Sequence, residues 1–455
     1  MPTKKTVADP SDKIYESFSL FIEAARSVKT VHMSAGVNWQ DASPAIISLL
    51  QKELETGLTY KNYGRSAGGK IITDILSYVE RDIVSAKNKI DSVIVNGASD
   101  GAHVLCSYLL ESGIINKTQT GIMIGYAFPI YSSLMEKLGI DYTEVMNTST
   151  ILPSIEQVES SIHTIHPSLI ILPLPHNPSG IIRELAYYRR IFTAARKVNA
   201  IVIVDRVCLM PWDTHIELNE LIYHEIALGS TFVIDSMSKS NSLAGIRIGY
   251  ILTNHEHLSP LEKEIRYRNL NPTVFGTPTM ALCRVGDLAL LKGIAFTQKY
   301  IRLLTRYSKH FWLEYPSDFT PPNLGAIAQQ FLASYIRDQQ QLKQRIDINF
   351  NNINKLFSTR VTQPIILDGG FNVLLQLPEM ITENENNDQL VLAKKYGICI
   401  LTKNCFHSGH NTNNNYFVRL SLTIPEHDFL RGLTTLYDYY KCTKHVTVDQ
   451  QLKFG

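Results

Sequence analysis

The sequence predicts an α/β fold: a doubly wound domain of about seven mostly parallel strands flanked by helices, plus a smaller α+β domain. Three observations point there. Between about residues 90 and 255, short β-branched runs alternate with helix-length amphipathic stretches. Runs such as IILPL and IVIV are apolar without interruption, as strands buried on both faces of a parallel sheet require. The C-terminal quarter changes texture, with a long polar helical stretch followed by short strand-like runs.

In chain order the predicted strands are DSVIVNG (91–97), GIMIGYA (121–127), DYTEVM (141–146), LIILPLP (169–175), AIVIVD (200–205), TFVIDS (231–236) and IRIGYIL (246–252). Helical apolar spacing in GAHVLCSYLLES, LAYYRRIFTAARKVN and NELIYHEIAL places helices between them. In such a sheet a ligand sits beyond the carboxyl ends of the strands, so functional side chains are sought there. Further on, RDQQQLKQRIDINFNNINKLF (337–357) reads as one long helix, and DGGFNVLLQLPE and FVRLSLT as strands.

The expected organisation is an N-terminal segment (1–50) that completes the small domain, a large domain (51–335) and a small C-terminal domain (336–455). TENENNDQ and HNTNNNY are Asn-rich and are expected in exposed loops. The Pro-rich segment 266–320, with NPTVFGTPT and YPSDFTPPN, is an unusual insertion, either a substrate lid or an embellishment at a dimer surface.

Composition narrows the class. With 455 residues, 44% hydrophobic and 19% charged, the chain has the make-up of a globular enzyme with two lobes. A formal net charge of +2 without a long Lys/Arg run argues against a nucleic-acid partner. No apolar stretch reaches the roughly 20 residues of a membrane span, and MPTKKTVADPSDK lacks the apolar core of a secretory leader. Six cysteines (106, 208, 283, 399, 405, 442) without a CxxC pair fit a reducing cytoplasm, and no metal site is expected.

Chemistry-bearing residues collect at the strand exits. TFVIDS runs into Ser236-Met237-Ser238-Lys239, and Arg247 follows between Gly245 and Gly249. Partial burial and a neighbouring cation lower a lysine pKa and leave a neutral fraction able to attack an aldehyde. An arginine held between glycines that permit close approach suits a bidentate grip on phosphate, with the Ser236 and Ser238 hydroxyls as further donors. Together these describe a phosphorylated aldehyde cofactor; alone, they also fit a loop lysine near a surface arginine. AIVIVD ends at Asp205, an acid at a buried strand end that needs a cation. A protonated pyridine nitrogen would serve, and a helix cap is the plainer alternative.

Four weaker signals follow the same pattern. The turn Asn177-Pro178-Ser179-Gly180 offers the Asn177 amide to a ring hydroxyl. NGASDGA opens a helix directly after a strand, so the amides of Gly97, Ala98 and Ser99 can hold phosphate. In YAFPIYSS, Phe128 can lie on a planar ring or in the core. In FVRLSLT, Arg419 can clamp a carboxylate or project from an exposed strand.

This constellation resembles the fold-type I pyridoxal-phosphate enzymes, and within them the class I/II aminotransferase family. The resemblance runs from about SAGVNW to FVRLSLT. The family's most specific signature, Ser-x-Ser-Lys followed by Gly-x-Arg-x-Gly, stands complete as SMSK and GIRIG, its Asn-Pro-Thr-Gly turn as NPSG, and its aromatic-Pro-x-Tyr stretch as FPIY. The resemblance implies pyridoxal 5'-phosphate bound covalently to Lys239, stacked on Phe128, paired with Asp205 and contacted by Asn177. Its phosphate would meet Gly97, Ala98, Ser99, Ser236, Ser238 and Arg247. Arg419 would hold the substrate carboxylate, near the backbone of Gly36, and Lys239 would move the Cα proton.

YGRSAG matches the family's tyrosine-to-glycine motif, which implies a homodimer in which Tyr63 reaches the neighbour's phosphate. The implied reaction moves the amino group of an L-amino acid to a 2-oxo acid. The alternatives are an elimination, decarboxylation or cyclisation on the same scaffold, or a non-catalytic sensor. One departure bears on this choice: where the family has Asp-x-x-Tyr, DRVC places Cys208, a weak donor, at the cofactor's ring oxygen.

Overall fold

All seven predicted strands form, and they join one sheet. In this computed structural model, residues 10–55, 69–85, 88–126, 128–147, 152–273, 275–307, 324–361, 363–377, 385–406 and 416–451 are described. The strands are β2 (Asp91–Val95), β3 (Gly121–Ile124), β4 (Tyr142–Val145), β5 (Leu169–Pro173), β6 (Ile201–Asp205), β7 (Thr231–Ser236) and β8 (Gly249–Thr253), in the order β2-β8-β7-β6-β5-β3-β4. Only β8 runs against its neighbours; the others pair in parallel. Every residue of β3, β5 and β7 is buried, which is why their sequences show no alternation.

Alternate side chains of each strand go to opposite faces. Val93, Ile203 and Phe232 pack with Leu105, Leu109, Leu261 and Ile265, from the helices Ala98–Glu111 and His255–Asn269. Ile94, Val202 and Val233 pack on the other face with Ile75, Ile191 and Ile222, from the helices Lys70–Val84, Leu185–Lys197 and Ile216–Ala227. The predicted strand IRIGYIL begins late, at Gly249, because Arg247 has a left-handed φ of 60° that no strand accommodates.

A second, antiparallel sheet has the order β11-β12-β9, with β9 Asn372–Leu377, β11 Leu401–Thr402 and β12 Tyr416–Ser421. Near it β1 (Val31–His32) pairs in parallel with β10 (Ile398–Cys399), tying the N-terminal segment to this part of the chain. The long helix spans Leu324–Phe357, starting well before residue 337, since Ala328, Phe331, Leu332 and Tyr335 continue its buried stripe.

Two expectations are corrected. Within segment 266–320, Thr277–Lys292 is neither a lid nor a surface feature but a core helix, with Met280, Leu282, Cys283, Val285 and Leu288 fully buried; residues 308–320 lie outside the described residues. The second half of TENENNDQ is not an exposed loop. It opens the helix Glu385–Tyr396 with Glu385, Asp388 and Gln389 buried, because each finds a partner. Glu385 accepts from the Asn404 amide at 3.0 Å, Asp388 from the Tyr439 hydroxyl at 2.7 Å, and Gln389 donates to Thr402 at 3.3 Å. HNTNNN lies outside the described residues. No helix among the described residues is long and apolar enough to cross a membrane.

Gly180 joins the two sheets. It has φ 73°, and a Cβ there would lie 2.4 Å from the Asn372 carbonyl oxygen and 3.0 Å from that of Gly369. Gly180→Ala is expected to destabilise the fold by roughly 1–3 kcal/mol, read as a lowered chemical-denaturation midpoint; an unchanged midpoint would contradict this packing.

Candidate active site

The carboxyl ends of β5, β6 and β7 open on a cavity of about 300 Å³. Because these strands are parallel, Asn177, Asp205 and Lys239, which follow them, arrive at the same edge. Of the predicted residues, Gly36, Ala98, Ser99, Phe128, Asn177, Asp205, Cys208, Ser236, Ser238, Lys239, Arg247 and Arg419 line the cavity. Gly97 lies against Arg247. Tyr63 lies outside the described residues.

Lys239 sits on the short helix Met237–Ser240, which begins with Ser236 Oγ accepting the Ser238 amide at 3.3 Å. Its Nζ donates to the Gly36 carbonyl at 2.7 Å, and its own carbonyl accepts from Asn38 Nδ2 at 2.9 Å. Burial lowers its pKa, with Arg419 and Arg247 pushing the same way against Cys208 and Asp205. The residue therefore meets the requirement set out for an amine that must spend time neutral.

Asp205 accepts from the Val207 amide at 3.1 Å and from the Tyr131 hydroxyl. Burial nevertheless pushes its pKa up to about 6, against those hydrogen bonds. Tyr131 is the tyrosine of FPIY, a residue the sequence displayed without showing that it would reach Asp205. Beside it, burial pushes the Cys208 thiol up to about 11, so it stays protonated at neutral pH.

Arg419, on β12, is buried, which removes the exposed-strand reading. It donates through Nη2 to the Ser34 carbonyl and through Nη1 to Asn177 Oδ1 at 3.2 Å, and its guanidinium carbon lies 4.7 Å from the centre of the Phe406 ring. Burial lowers its pKa to about 10, and it remains a cation. Gly36 has φ 59°, and a Cβ there would come 2.7 Å from Arg419 Nη2, so only glycine fits.

Gly97, Ala98, Ser99, Ser236, Ser238 and Arg247 come together at one corner of the cavity. Gly97, φ 86°, starts the helix Ala98–Glu111, whose first amides have no partner within the helix. A Cβ on Gly97 would lie 2.7 Å from Arg247 Nη2, and one on Gly249 would lie 3.1 Å from the Ala98 nitrogen. Gly245 meets nothing within 4 Å, so close approach depends on Gly249 and not on both flanking glycines.

Sequence reading missed one wall of the cavity. Ile14 and Phe18, one turn apart on the helix Pro10–Ala24, line it with Val37, Ile130 and Leu401. Their helical spacing was visible, but the surface they face is set by tertiary packing.

The donor set fits pyridoxal phosphate. Asp205 is shielded and raised in pKa, as a carboxylate short of a cation is, and a pyridine nitrogen can supply one. The glycine-lined helix start, Arg247 and three serines suit a phosphate; Lys239 suits an aldehyde carbon; Phe128, 39% exposed, suits a ring face.

The chain matches the family described as aminotransferase class I and II over residues 28–435, and it belongs to that family, which depends on pyridoxal phosphate. Histidinol-phosphate aminotransferase 1 of Oceanobacillus iheyensis is 34% identical over 94 residues, 21% of this chain and 25% of that protein. Histidinol-phosphate aminotransferase 2 of Hydrogenovibrio crunogenus is 27% identical over 275 residues, 60% of this chain and 66% of that protein. The chain thus spans only part of the length of the curated relatives it matches. The Escherichia coli protein YbdL, whose structure report assigns it a methionine aminotransferase function, superposes with a TM-score of 0.69 at 13% identity, covering 96% of this chain and 98% of that one. At that identity the likeness shows the fold.

A lowered Lys239 pKa means more neutral amine at any given pH. Cofactor capture by the apoprotein is therefore expected to accelerate with pH and level off below the ordinary lysine value of about 10.4, measured by stopped-flow absorbance. A midpoint at that ordinary value would show that burial does not act on the amine.

Proposed function

We propose that the chain is an aminotransferase that takes the amino group of an L-α-amino acid with an apolar side chain and delivers it to a 2-oxo acid. One observation carries this reading: Lys239, Asp205 and Arg419 converge on one cavity. Bound pyridoxal phosphate supplies an electrophilic carbon and a ring that spreads the electron pair released at Cα. Lys239 Nζ would hold that carbon until the donor's amine displaces it, and the freed amine would then lift the proton from Cα and deliver it to the carbon it had held. Asp205 keeps a proton on the ring nitrogen, oriented by Tyr131 and the Val207 amide.

Arg419 presents its planar fork to the donor carboxylate, and Asn177, whose Oδ1 is taken by Arg419, keeps its amide hydrogens for the cavity. Held at both ends, the donor presents its Cα proton to Lys239. Its side chain meets the wall of Ile14, Phe18, Val37, Ile130 and Leu401, which supports an apolar donor. Arg247 is exposed in the single chain, where a second copy would cover it and bring Tyr63 to the phosphate. That supports a homodimer, and the cysteine usage supports a cytoplasmic one.

Lys239→Ala is expected to abolish turnover and the visible absorbance band of the bound cofactor, while cofactor still binds non-covalently. In the wild type, an apolar amino acid should bleach that band and a 2-oxo acid restore it; bleaching without restoration would refute transamination. Phe18→Ala should lower kcat/KM for leucine or methionine about tenfold relative to alanine as donor. An equal fall for all three donors would remove Phe18 from side-chain recognition.

A further inference from the structure

A buried charge network brackets the segment that carries Lys239. At the leading end, Asp235 Oδ1 accepts from the Ser236 amide at 2.7 Å, and Oδ2 accepts from Arg206 Nε at 2.9 Å. Arg206 directly follows Asp205, and its amide donates to the Ile234 carbonyl at 2.9 Å, so the same residue ties the exits of β6 and β7 together. Behind it Glu80, fully buried on the helix Lys70–Val84, accepts from Arg206 Nη2 at 2.8 Å, Arg284 Nη2 at 2.6 Å and the Tyr223 hydroxyl at 2.5 Å.

The contacts continue to the other end of the segment. Arg284 is also paired with Asp287, on the core helix Thr277–Lys292. Asp287 Oδ1 accepts from the Tyr335 hydroxyl at 2.6 Å, which in turn accepts from Asn241 Nδ2 at 2.8 Å. Asn241 lies two residues beyond Lys239. The path therefore leaves the lysine segment at Ser236 and returns to it at Asn241. Glu80, Arg206, Asp235, Arg284, Asp287 and Tyr335 do not line the cavity, so none touches what binds there.

Stability alone is a poor account of this arrangement. Moving guanidinium and carboxylate groups out of water carries a large desolvation penalty, and well-packed apolar side chains commonly stabilise a core as well or better. Burial alone would raise the Glu80 pKa, yet Arg206 and Arg284 hold it well below the ordinary range, so Glu80 is a carboxylate at neutral pH, whereas burial pushes Asp235 up and Asp287 up to about 6. What directional ionic contacts add is a single allowed geometry, here for a six-residue stretch bearing the one lysine that lines the cavity among the described residues.

We propose that this network is a positioning device: it holds the Lys239 segment in fixed register with Asp205, so that the amine and the carboxylate address the two ends of one bound ring. This rests on the reading of Lys239 as the cofactor-bearing lysine. Tyr335→Phe detaches the trailing end by removing one hydroxyl; Glu80→Gln keeps the shape and removes the central charge. In the holoenzyme each is expected to lower kcat about tenfold or more while KM stays within about twofold, since a small misplacement of a reacting group acts on the chemical step.

Each variant should also shift the pH midpoint of the visible band, a property of the linked lysine that a general loss of stability does not move. Glu225→Gln is the control, because Glu225 is the buried end of an ion pair with Arg196 away from this path. It should lower Tm and leave kcat and the band at wild type. If Tyr335→Phe and Glu80→Gln behave like that control, or raise KM in place of lowering kcat, the network is structural only and the proposal fails. A visible band that survives Lys239→Ala would instead overturn the underlying reading.

Discussion

Three charged side chains kept from bulk water at one edge of a parallel sheet set the terms for the rest of this molecule. Removing an ion from water carries a penalty that only partners can offset, and here the partners are mostly backbone. Lys239 has the Gly36 carbonyl, and Arg419 has the Ser34 carbonyl and the Asn177 amide oxygen. Asp205 has the Val207 amide and the Tyr131 hydroxyl. Two donors do not offset the burial of Asp205, so its pKa stays raised. That residual deficit of positive charge is what makes the site receptive to a protonated heterocycle.

The Arg419 end of the cavity belongs to no single segment of chain. Arg419 comes from the antiparallel sheet, Asn177 from the turn after β5, and Gly36 from the N-terminal segment. The junction at Gly180, where a turn of the large sheet presses on the backbone of β9, keeps these contributors in place. The placing of Arg419 in the cavity therefore depends on packing between the two sheets. Cys208 lies in the same cavity as a neutral thiol, a weaker hydrogen-bond donor than a phenol.

The large sheet was legible because burial on both faces leaves an unmistakable mark in Val/Ile-rich runs. Boundaries failed where a single backbone angle intervened, as at Arg247. Segment 277–292 was misjudged because Pro and Gly at its start resemble loop punctuation, although Pro278 lies within the first helical turn, a favourable position. The buried start of the helix Glu385–Tyr396 was misjudged because polar residues signal exposure unless their partners are known, and those partners come from distant segments.

By itself the sequence determined the order of the strands along the chain and singled out Lys239, Asp205 and Arg419 as candidates, because local pattern and side-chain chemistry suffice for that. Tertiary structure alone decided that Tyr131 meets Asp205, that Ile14 and Phe18 wall the cavity, and that Glu80 connects through Arg206 and Asp235 to one end of the lysine segment and through Arg284, Asp287 and Tyr335 to the other. Those contacts join residues far apart in the chain, and nothing local in the sequence encodes which buried polar group will find which partner.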